Sequence, residues 1–196
     1  MAEPIRRPAG WREILEAPEG LKAEVLGGEL ILQPRPRLEH GMAQSNLTGL
    51  VTPPFSFGDG GPGGWWIAIE PDLCFDAGHI VSPDVVGWRR ERVPTPPSER
   101  PVTTIPDWIC EILSPATRRR DRFEKAELYL RSGVPFYWLV DLDARGLEAF
   151  EAVDGRWLRP GAWTAEQSAA VPPFEAVTID IGRLFPPEPP TPAPPL

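Results

Sequence analysis

A strand–helix–strand pattern is the feature that most limits how this chain can fold. The segment WICEIL, residues 108–113, is apolar apart from one carboxylate at Glu111, and FYWLVD, residues 136–141, is a second long apolar run. Between them, residues 117–132 have the spacing of a helix that ends at Gly133. Such apolar runs are typical of central strands covered on both faces. The pattern therefore predicts an α/β fold with a mixed central sheet flanked by helices.

Further elements are predicted around this unit. A Gly-Gly turn separates LKAEVL from ELILQP, which is typical of a β-hairpin. The other predicted elements are a short helix at 11–17, a helix at 37–51, strands at 65–75, 84–88 and 146–153, and weaker strands at 156–158 and 176–180. Proline and glycine predict loops at 52–64 and 89–106. We expect one domain over residues 1–185 and a proline-rich tail at 186–196.

Composition and charge limit the possible classes of protein. With 41% hydrophobic residues the chain has the composition of a globular protein, and no apolar run is long enough to cross a membrane. A net charge of −8 argues against coating nucleic acid through an overall positive field, although it permits a local basic cleft. The two cysteines, Cys74 and Cys110, have no metal-site spacing, and the first residues lack the apolar stretch of a secretory signal. We expect a reduced, cytoplasmic location.

Two carboxylates stand ahead of basic clusters. Asp84 follows a proline at the start of its strand, and Glu111 shares one face of its strand with Ile109 and Leu113. If the two strands are neighbours, both acids meet at one end of the sheet, where they would hold a hard divalent cation. The arginines that follow them are candidates for binding the nucleic-acid backbone: Arg89, Arg90, Arg118, Arg119 and Arg120. A metal with arginines is what hydrolysis of a phosphodiester requires.

The helix that follows Glu111 adds a lysine. Asp121 and Lys125 are four residues apart and face the same way, together with Leu128 and Tyr129. The opposite stripe is apolar: Phe123, Ala126 and Leu130. Two semi-buried faces are compatible with Lys125 pointing into a cleft. Because the chain has 18 arginines and only two lysines, a lysine at this position indicates a need that arginine does not meet.

The segments PDVVGW at 83–88 and EILSPATRRRDRFEKAELYLRSGVPFYWLVD at 111–141 closely resemble the Uma-two endonuclease family. That family belongs to the PD-(D/E)XK restriction-endonuclease-like superfamily. The hairpin sequence LKAEVLGGELILQPRP, followed by His40, is similar to the start of the family's domain. The resemblance covers residues 21–150, which is most of the chain.

The resemblance implies a restriction-endonuclease-like fold and a nuclease that cuts DNA with Mg²⁺ or Mn²⁺. Asp84 matches the acid of the Pro-Asp motif, and Glu111 matches the acid of the following element; both would bind the metal. Leu113 stands where the superfamily pattern has lysine, and in relatives of this kind the lysine role moves to the next helix, where Lys125 lies. Phe136 also departs from the family, which has an acidic residue there. Glu24 matches a glutamate of the first hairpin that could approach the metal.

Other interpretations of these residues stay open. Glu111 could be a core glutamate paired with an arginine, and Asp121 could form only a salt bridge with Lys125. Glu24 is equally well explained as a cross-strand partner, and His40 is better explained by packing or hydrogen bonding than by metal binding. A second Pro-Asp pair ends at Asp72, and we rank it lower because no basic cluster follows it.

Other functions are also compatible with the sequence. The fold could serve as a catalytically inactive module for nucleic-acid binding or protein assembly, or the chain could be an unrelated metal hydrolase of a small phosphorylated substrate. Trp65 and Trp66 are predicted to be exposed, and with the pairing habit of restriction-like nucleases this favours a homodimer.

Overall fold

The computed structural model describes residues 8–187 and contains twelve strands in that range. The strands are β1 (Leu21–Leu26), β2 (Glu29–Pro34), β3 (Trp65–Ile69), β4 (Leu73–Asp76), β5 (His79–Val81), β6 (Val85–Arg89), β7 (Trp108–Leu113), β8 (Phe136–Asp141), β9 (Gly146–Val153), β10 (Arg156–Thr164), β11 (Ser168–Ala169) and β12 (Ile179–Asp180). They form a six-stranded sheet in the order β10-β9-β8-β7-β6-β3, a four-stranded sheet in the order β2-β1-β5-β4, and the pair β11-β12.

Helices cover the sheets. They are α1 (Trp11–Leu15), α2 (Leu38–Thr52) with a π-helical continuation (Pro53–Phe57), α3 (Arg118–Arg120), a π-helical turn (Asp121–Lys125), α4 (Ala126–Arg131) and a 3₁₀ turn (Ile181–Leu184). The three segments at 118–131 follow one another without a break, and we call them the site helix. The fold is therefore α/β with a mixed sheet, as the sequence predicts. No helix among residues 8–187 is long and apolar enough to cross a membrane.

The centre of the six-stranded sheet brings the two predicted acids together. β6 runs antiparallel to β7 with Val85 opposite Cys110, so that Asp84 lies just beyond this pair, beside Glu111. β7 runs parallel to β8, and the site helix is the crossover between them. The strands after Asp84 and around Glu111 are therefore neighbours, which is the condition that the sequence analysis left open.

Alternation along β7 divides the core into two layers. Trp108, Cys110 and Ile112 face the layer that contains α2 and the C-terminal segment. Ile109 and Leu113 face the layer beneath the site helix. Glu111 stands between Ile109 and Leu113 on that second face, so its carboxylate points toward the site helix, and its residue is 2% exposed.

The hairpin of β1 and β2 forms as predicted. Its two turn residues, Gly27 and Gly28, have φ of +59° and +77°, which glycine adopts without strain. β1 then pairs with β5 through Val25 and Ile80. Because β5 leads directly to Ser82 and Asp84, this pairing places the inner face of the hairpin beside the start of β6.

Several predicted elements differ from the structure. Residues 65–75 are not one strand, because the left-handed Glu70 (φ +47°) precedes Pro71 and sends β3 and β4 into different sheets. The loop predicted at 52–64 begins with the π-helical continuation of α2. β5 was not predicted, since a three-residue strand carries little pattern. β10 runs to Thr164, well beyond the segment predicted at 156–158.

One of the two semi-buried faces predicted for the site helix forms, and the other does not. Its buried side carries Asp121, Lys125, Leu128 and Tyr129, all at most 3% exposed. Phe123, predicted in the opposite apolar stripe, is 67% exposed. The site helix therefore buries its charged side, and the expected apolar stripe does not form as a continuous core face.

Two further predictions concern the outside of the molecule. Trp65 is 5% exposed and buried against Phe174, and the Trp66 indole N–H donates to the Val93 carbonyl oxygen at 2.9 Å. The expectation that both tryptophans are exposed is therefore wrong, and the homodimer stays a prediction. Of the proline-rich tail expected at 186–196, residues 188–196 lie outside the described residues. The Pro186 carbonyl oxygen accepts a hydrogen bond from Arg145 at 3.0 Å.

Candidate active site

A cavity of about 380 Å³ opens where the two large sheets and the site helix meet. It is lined by all five residues that the sequence marks as catalytic or as additional site residues: Glu24, Asp84, Glu111, Asp121 and Lys125. Lys22 and His40 line it too. The residues come from β1, the start of β6, β7, the site helix and α2, so that the site exists only when all of these elements are in place.

Asp84 is held on three sides. Its Oδ2 accepts a hydrogen bond from the Ile112 backbone N–H at 2.7 Å, across the boundary between β6 and β7. Its Oδ1 lies 3.1 Å from His40 Nε2 and 3.4 Å from Lys22 Nζ. Gln44 of α2 donates to the Asp84 carbonyl oxygen at 2.8 Å, which fixes the backbone as well.

These contacts keep Asp84 ionised. Burial alone would raise the pKa of this carboxyl, but the contact with His40, the charge of Lys22 and the Ile112 N–H outweigh burial. They lower the pKa of Asp84 to about 2. The negative charge of Asp84 is therefore present at every physiological pH.

Glu111 has a different set of neighbours. Its Oε1 accepts hydrogen bonds from the Tyr129 hydroxyl at 2.6 Å and from Lys125 Nζ at 3.0 Å. Burial raises the pKa of Glu111, and Asp121, Asp84 and Glu24 add to the rise while Lys125 opposes it. The pKa of Glu111 reaches about 8, so this carboxyl holds a proton at neutral pH when nothing else neutralises the cavity.

Lys125 is the centre of the charged cluster. Its Nζ lies 2.8 Å from Glu24 Oε1, 3.0 Å from Glu111 Oε1 and 3.5 Å from Asp121 Oδ1. Burial lowers the pKa of a lysine, but these three carboxylates outweigh it and hold the pKa of Lys125 well above its usual value. The π-helical turn that carries Asp121 and Lys125 presents both side chains to the cavity, and such turns are frequent at functional sites.

Glu24 completes this half of the cavity. It is fully buried, and its two oxygens accept hydrogen bonds from the Ser82 backbone N–H and from Gln33 Nε2, both at 3.0 Å. Burial would raise the pKa of Glu24, but Lys125 and Lys22 outweigh burial and lower it. The contact with Lys125 shows that Glu24 reaches the site, so it is more than a cross-strand partner in the hairpin.

The buried charges do not balance. Four carboxylates (Glu24, Asp84, Glu111, Asp121) face two ammonium groups (Lys22, Lys125), which leaves an excess of two negative charges when all are ionised. Asp121 Oδ1 is also buried without a hydrogen bond from any described residue. A cluster with this deficit must take up protons or a cation.

The residues fit a hard divalent cation. Among residues 8–187 no three histidine, cysteine or carboxylate side chains already surround a metal-sized space, and Lys125 Nζ contacts Glu24, Glu111 and Asp121. The donor atoms are carboxylate oxygens, which Mg²⁺ and Mn²⁺ prefer. The missing charge equals that of one divalent ion.

The predicted arginines are distributed differently. Arg89 and Arg90 lie at the far end of β6 from Asp84, about 17 Å along the strand, where they stack on Trp65 and Trp66. Arg118 pairs with Asp141 at 2.9 Å and with Asp143. The structure therefore does not bring these three into the cavity. Their binding of nucleic acid stays a prediction.

The remaining two arginines of that prediction belong to the site helix. Arg119 has a side chain that is 88% exposed and lies 3.7 Å from Glu124. Arg120 is half-buried, and its Nη1 has no hydrogen-bond partner among residues 8–187. Neither lines the cavity.

Some site residues were missed by sequence reasoning. Lys22 carries the same signal as Lys125, since it is the other lysine of a chain that otherwise uses arginine. His40 was assigned to packing or hydrogen bonding, and the structure does place it in contact with a carboxylate, but at the site itself. Tyr129 lies four residues after Lys125 on the same side of the site helix, and Gln33 reaches Glu24 across the hairpin, but the sequence analysis gave neither a role at the site.

The comparisons with known proteins agree with this architecture. The model of a family described as "Putative restriction endonuclease", Uma2, matches residues 11–182. The chain belongs to the Uma2 family. Membership indicates a nuclease of the restriction-endonuclease type. None of the curated proteins matches the chain.

A solved structure shares the fold of this Uma2 protein. It is described as "a putative nuclease belonging to DUF820" from Anabaena variabilis ATCC 29413. The identity is 23%, the TM-score is 0.66, and the match covers 91% of this chain and 98% of the other. The likeness shows the fold, which is restriction-endonuclease-like as the sequence resemblance implied.

Proposed function

We propose that this Uma2 protein is a metal-dependent nuclease that hydrolyses phosphodiester bonds in DNA with Mg²⁺ or Mn²⁺. The observation that carries the proposal is the buried cluster at the cavity, where four carboxylates face two lysines. An arrangement built only for stability would have balanced charges, since an unpaired buried charge is costly. A divalent ion and an anionic substrate together account for both the carboxylates and the lysines.

Asp84 and Glu111 are the proposed metal ligands. Asp84 is ionised and fixed by the Ile112 N–H. Tyr129 and Lys125 both donate hydrogen bonds to Glu111 Oε1. No described residue donates to Oε2, so this oxygen is the one proposed to bind the metal. Glu24 and Asp121 contact Lys125 at 2.8 and 3.5 Å, and so hold its ammonium group beside the two proposed ligands. When bound, the ion would activate a water molecule and neutralise charge on the phosphate.

Lys125 would act on the phosphate or on the attacking water. An ammonium group has three N–H donors. Glu24 and Glu111 take two of them at 2.8 and 3.0 Å, while Asp121 at 3.5 Å holds the third only loosely. That third donor is available to an oxygen in the cavity. Its position is fixed by the other two bonds, which is the preorganisation that electrostatic catalysis requires.

Cleavage assays with matched variants test the function. We expect wild-type protein to cut DNA with Mg²⁺ or Mn²⁺ and not with EDTA. Asp84→Asn and Glu111→Gln should lose cleavage while each unfolds in one cooperative transition. Asp72→Asn is the control: Asp72 also follows a proline and is mostly buried, but it bonds Ser82 and Arg100 outside the cavity, and we expect it to cut DNA normally.

The outcome of these assays separates the alternatives. Wild-type cleavage that survives either Asp84→Asn or Glu111→Gln would show that the two acids are not the metal site. Binding of DNA without cleavage under either ion would instead fit a catalytically inactive module. Hydrolysis of a small phosphodiester alone would fit a different metal hydrolase.

A further inference from the structure

Two exposed arginines stand at the mouth of the cavity. The segment Pro34-Arg35-Pro36-Arg37 leads from β2 into α2, and Arg35 and Arg37 both line the cavity. Neither guanidinium forms a hydrogen bond or ion pair with any residue among 8–187, and both residues are exposed. They are thus cations at the entrance with all their N–H donors available.

Two arginines of the site helix, Arg118 and Arg122, follow the lining residues Thr117 and Asp121 in sequence and are already engaged. Arg118 is paired with Asp141 and Asp143, and Arg122 is paired with Glu148 at 2.6 Å. The cavity lining also includes the uncharged residues 114–117 and the acidic Asp143. Among the described residues that line the cavity, the arginines are Arg35 and Arg37.

An anionic substrate needs the positive charge of Arg35 and Arg37 in order to bind at this cavity. The interior of the cavity is negative, and a divalent ion would only cancel the excess. The phosphates on either side of a bond to be cut remain outside the cavity, where each still carries its charge. Arginine binds phosphate oxygens through two parallel N–H donors, so that two free guanidinium groups at the entrance match two such phosphates.

The backbone holds the two arginines in place before any ligand arrives. Pro34 and Pro36 have a fixed φ, and the residue before a proline is kept extended, which restricts Arg35. Arg37 is extended as well, with φ −71° and ψ 164°. The two Cα atoms are separated by about 6 Å of extended chain. A segment that is already stiff loses little entropy on binding.

We propose that Arg35 and Arg37 form the docking site for the DNA backbone, binding the phosphates next to the bond that is cut. This inference rests on the proposed nuclease function. It assigns binding to the hairpin side of the entrance instead of to the arginine clusters at 89–92 and 118–122.

The salt dependence of DNA binding tests the inference. Binding of a labelled duplex is measured in EDTA, so that no cleavage occurs, for wild type, Arg35→Gln/Arg37→Gln, and the control Arg119→Gln/Arg156→Gln, whose arginines are exposed and lie outside the cavity lining. Two lost phosphate contacts lower the slope of log affinity against log salt by about 1.8. The affinity lost by the first variant should therefore be about 12-fold greater at 50 mM than at 200 mM salt, with little change in the control.

Cleavage kinetics give a second readout. With Mg²⁺, Arg35→Gln/Arg37→Gln should raise KM while kcat at saturating DNA stays close to wild type. An unchanged salt slope, or a control variant that loses as much, would overturn the docking site even if the protein cuts DNA. A wild type that cuts no DNA would contradict the proposed function, and the salt slope would still decide on Arg35 and Arg37. A wild-type protein that neither cuts nor binds DNA would contradict both the proposed nuclease function and the docking site.

Discussion

Two of the carboxyl groups buried at the cavity, Asp84 and Glu111, have pKa values that shift in opposite directions. We call Asp84 with Lys22 and His40 the Asp84 half of the cavity, and Glu111 with Lys125, Glu24, Asp121 and Tyr129 the Glu111 half. Asp84 meets a backbone N–H, His40 and a partly exposed lysine, and its pKa falls to about 2. Glu111 meets a buried lysine that it shares with two other acids, and its pKa rises to about 8. Burial is almost equal in the two cases. At equal burial, the neighbouring charges and hydrogen-bond donors decide which acid stays charged: Asp84 faces cations and donors, whereas Glu111 also faces three other acids.

The largest effect expected from this comparison is on catalysis. Lys125→Arg should reduce turnover by about 10²-fold or more, because the broad, planar guanidinium does not fit between Glu24 and Glu111 in place of the compact ammonium. Lys22→Arg should keep more activity, since the Lys22 side chain is 19% exposed and has room toward Glu70. Single-turnover cleavage at saturating DNA measures both. A Lys125→Arg protein with wild-type turnover would return Lys125 to a structural role.

The two lysines should also differ in their effect on stability. Lys125→Met leaves three buried carboxylates without their shared cation, and we expect a loss of about 3–5 kcal/mol in the free energy of unfolding. Lys22→Met should cost about 1 kcal/mol, because the Ile112 N–H and His40 still hold Asp84. Urea unfolding in EDTA at neutral pH gives both values. Equal losses of unfolding free energy would mean that the Asp84 half depends on its lysine as strongly as the Glu111 half does.

The pH dependence of stability should have opposite signs in the two halves. The pKa of Glu111 is raised from 4.5 to about 8, so its stabilisation is complete below about pH 4.5 and is lost as pH rises through 8. The pKa of Asp84 is lowered from 3.8 to about 2, so its stabilisation is present above pH 3.8 and is lost as pH falls through 2.

Metal-free wild type should therefore lose stability as pH rises from about 4.5 to about 8, and the loss should level off above pH 8. In Glu111→Gln this loss should be much smaller, while Asp84→Asn should lower stability at neutral pH and keep the decline. Denaturant midpoints at a series of pH values distinguish the two. A decline of the same size in wild type and in Glu111→Gln would assign the titration to another group.

A single hydroxyl is the subject of the last comparison, because it is the smallest group that holds Glu111. Tyr129→Phe removes the 2.6 Å bond to Glu111 Oε1 and should cost about 1–3 kcal/mol, since a buried acceptor loses a donor. Tyr137→Phe is the matched control: its hydroxyl donates to the Asp121 carbonyl oxygen at 3.0 Å and does not touch a carboxylate. Both variants should lose some stability, but only Tyr129→Phe should change the pH at which stability declines.

Local pattern was enough to predict the central unit of the fold. The apolar run around Glu111, the helix that ends before Gly133 and the strand at 136–141 are all present, because each depends on residues close in sequence. Glu111 and Lys125 lie in this same unit, and for that reason both were predicted as site residues. The pairing of Asp84 with Glu111 followed once their strands were taken as neighbours.

The rest depends on tertiary contacts that a local pattern does not contain. Glu24, His40 and Lys22 reach the cavity because the four-stranded sheet and α2 dock on the central one. The break at Glu70 follows from one left-handed residue. The face of the site helix with Asp121 and Lys125 is buried as predicted, but Phe123 was wrongly assigned to a second buried stripe, because the contacts of the helix with the cavity and the sheet determine which side is inward.

The spread of the lysine's partners along the chain has a consequence for folding kinetics. Lys125 lies 14 residues from Glu111 but about 100 residues from Glu24. The short loop closes at a lower entropic cost, so the ammonium meets Glu111 before the N-terminal hairpin arrives. Hydrogen exchange during refolding should accordingly protect β7 and the site helix ahead of β1, and the cavity would be the last part of the molecule to assemble.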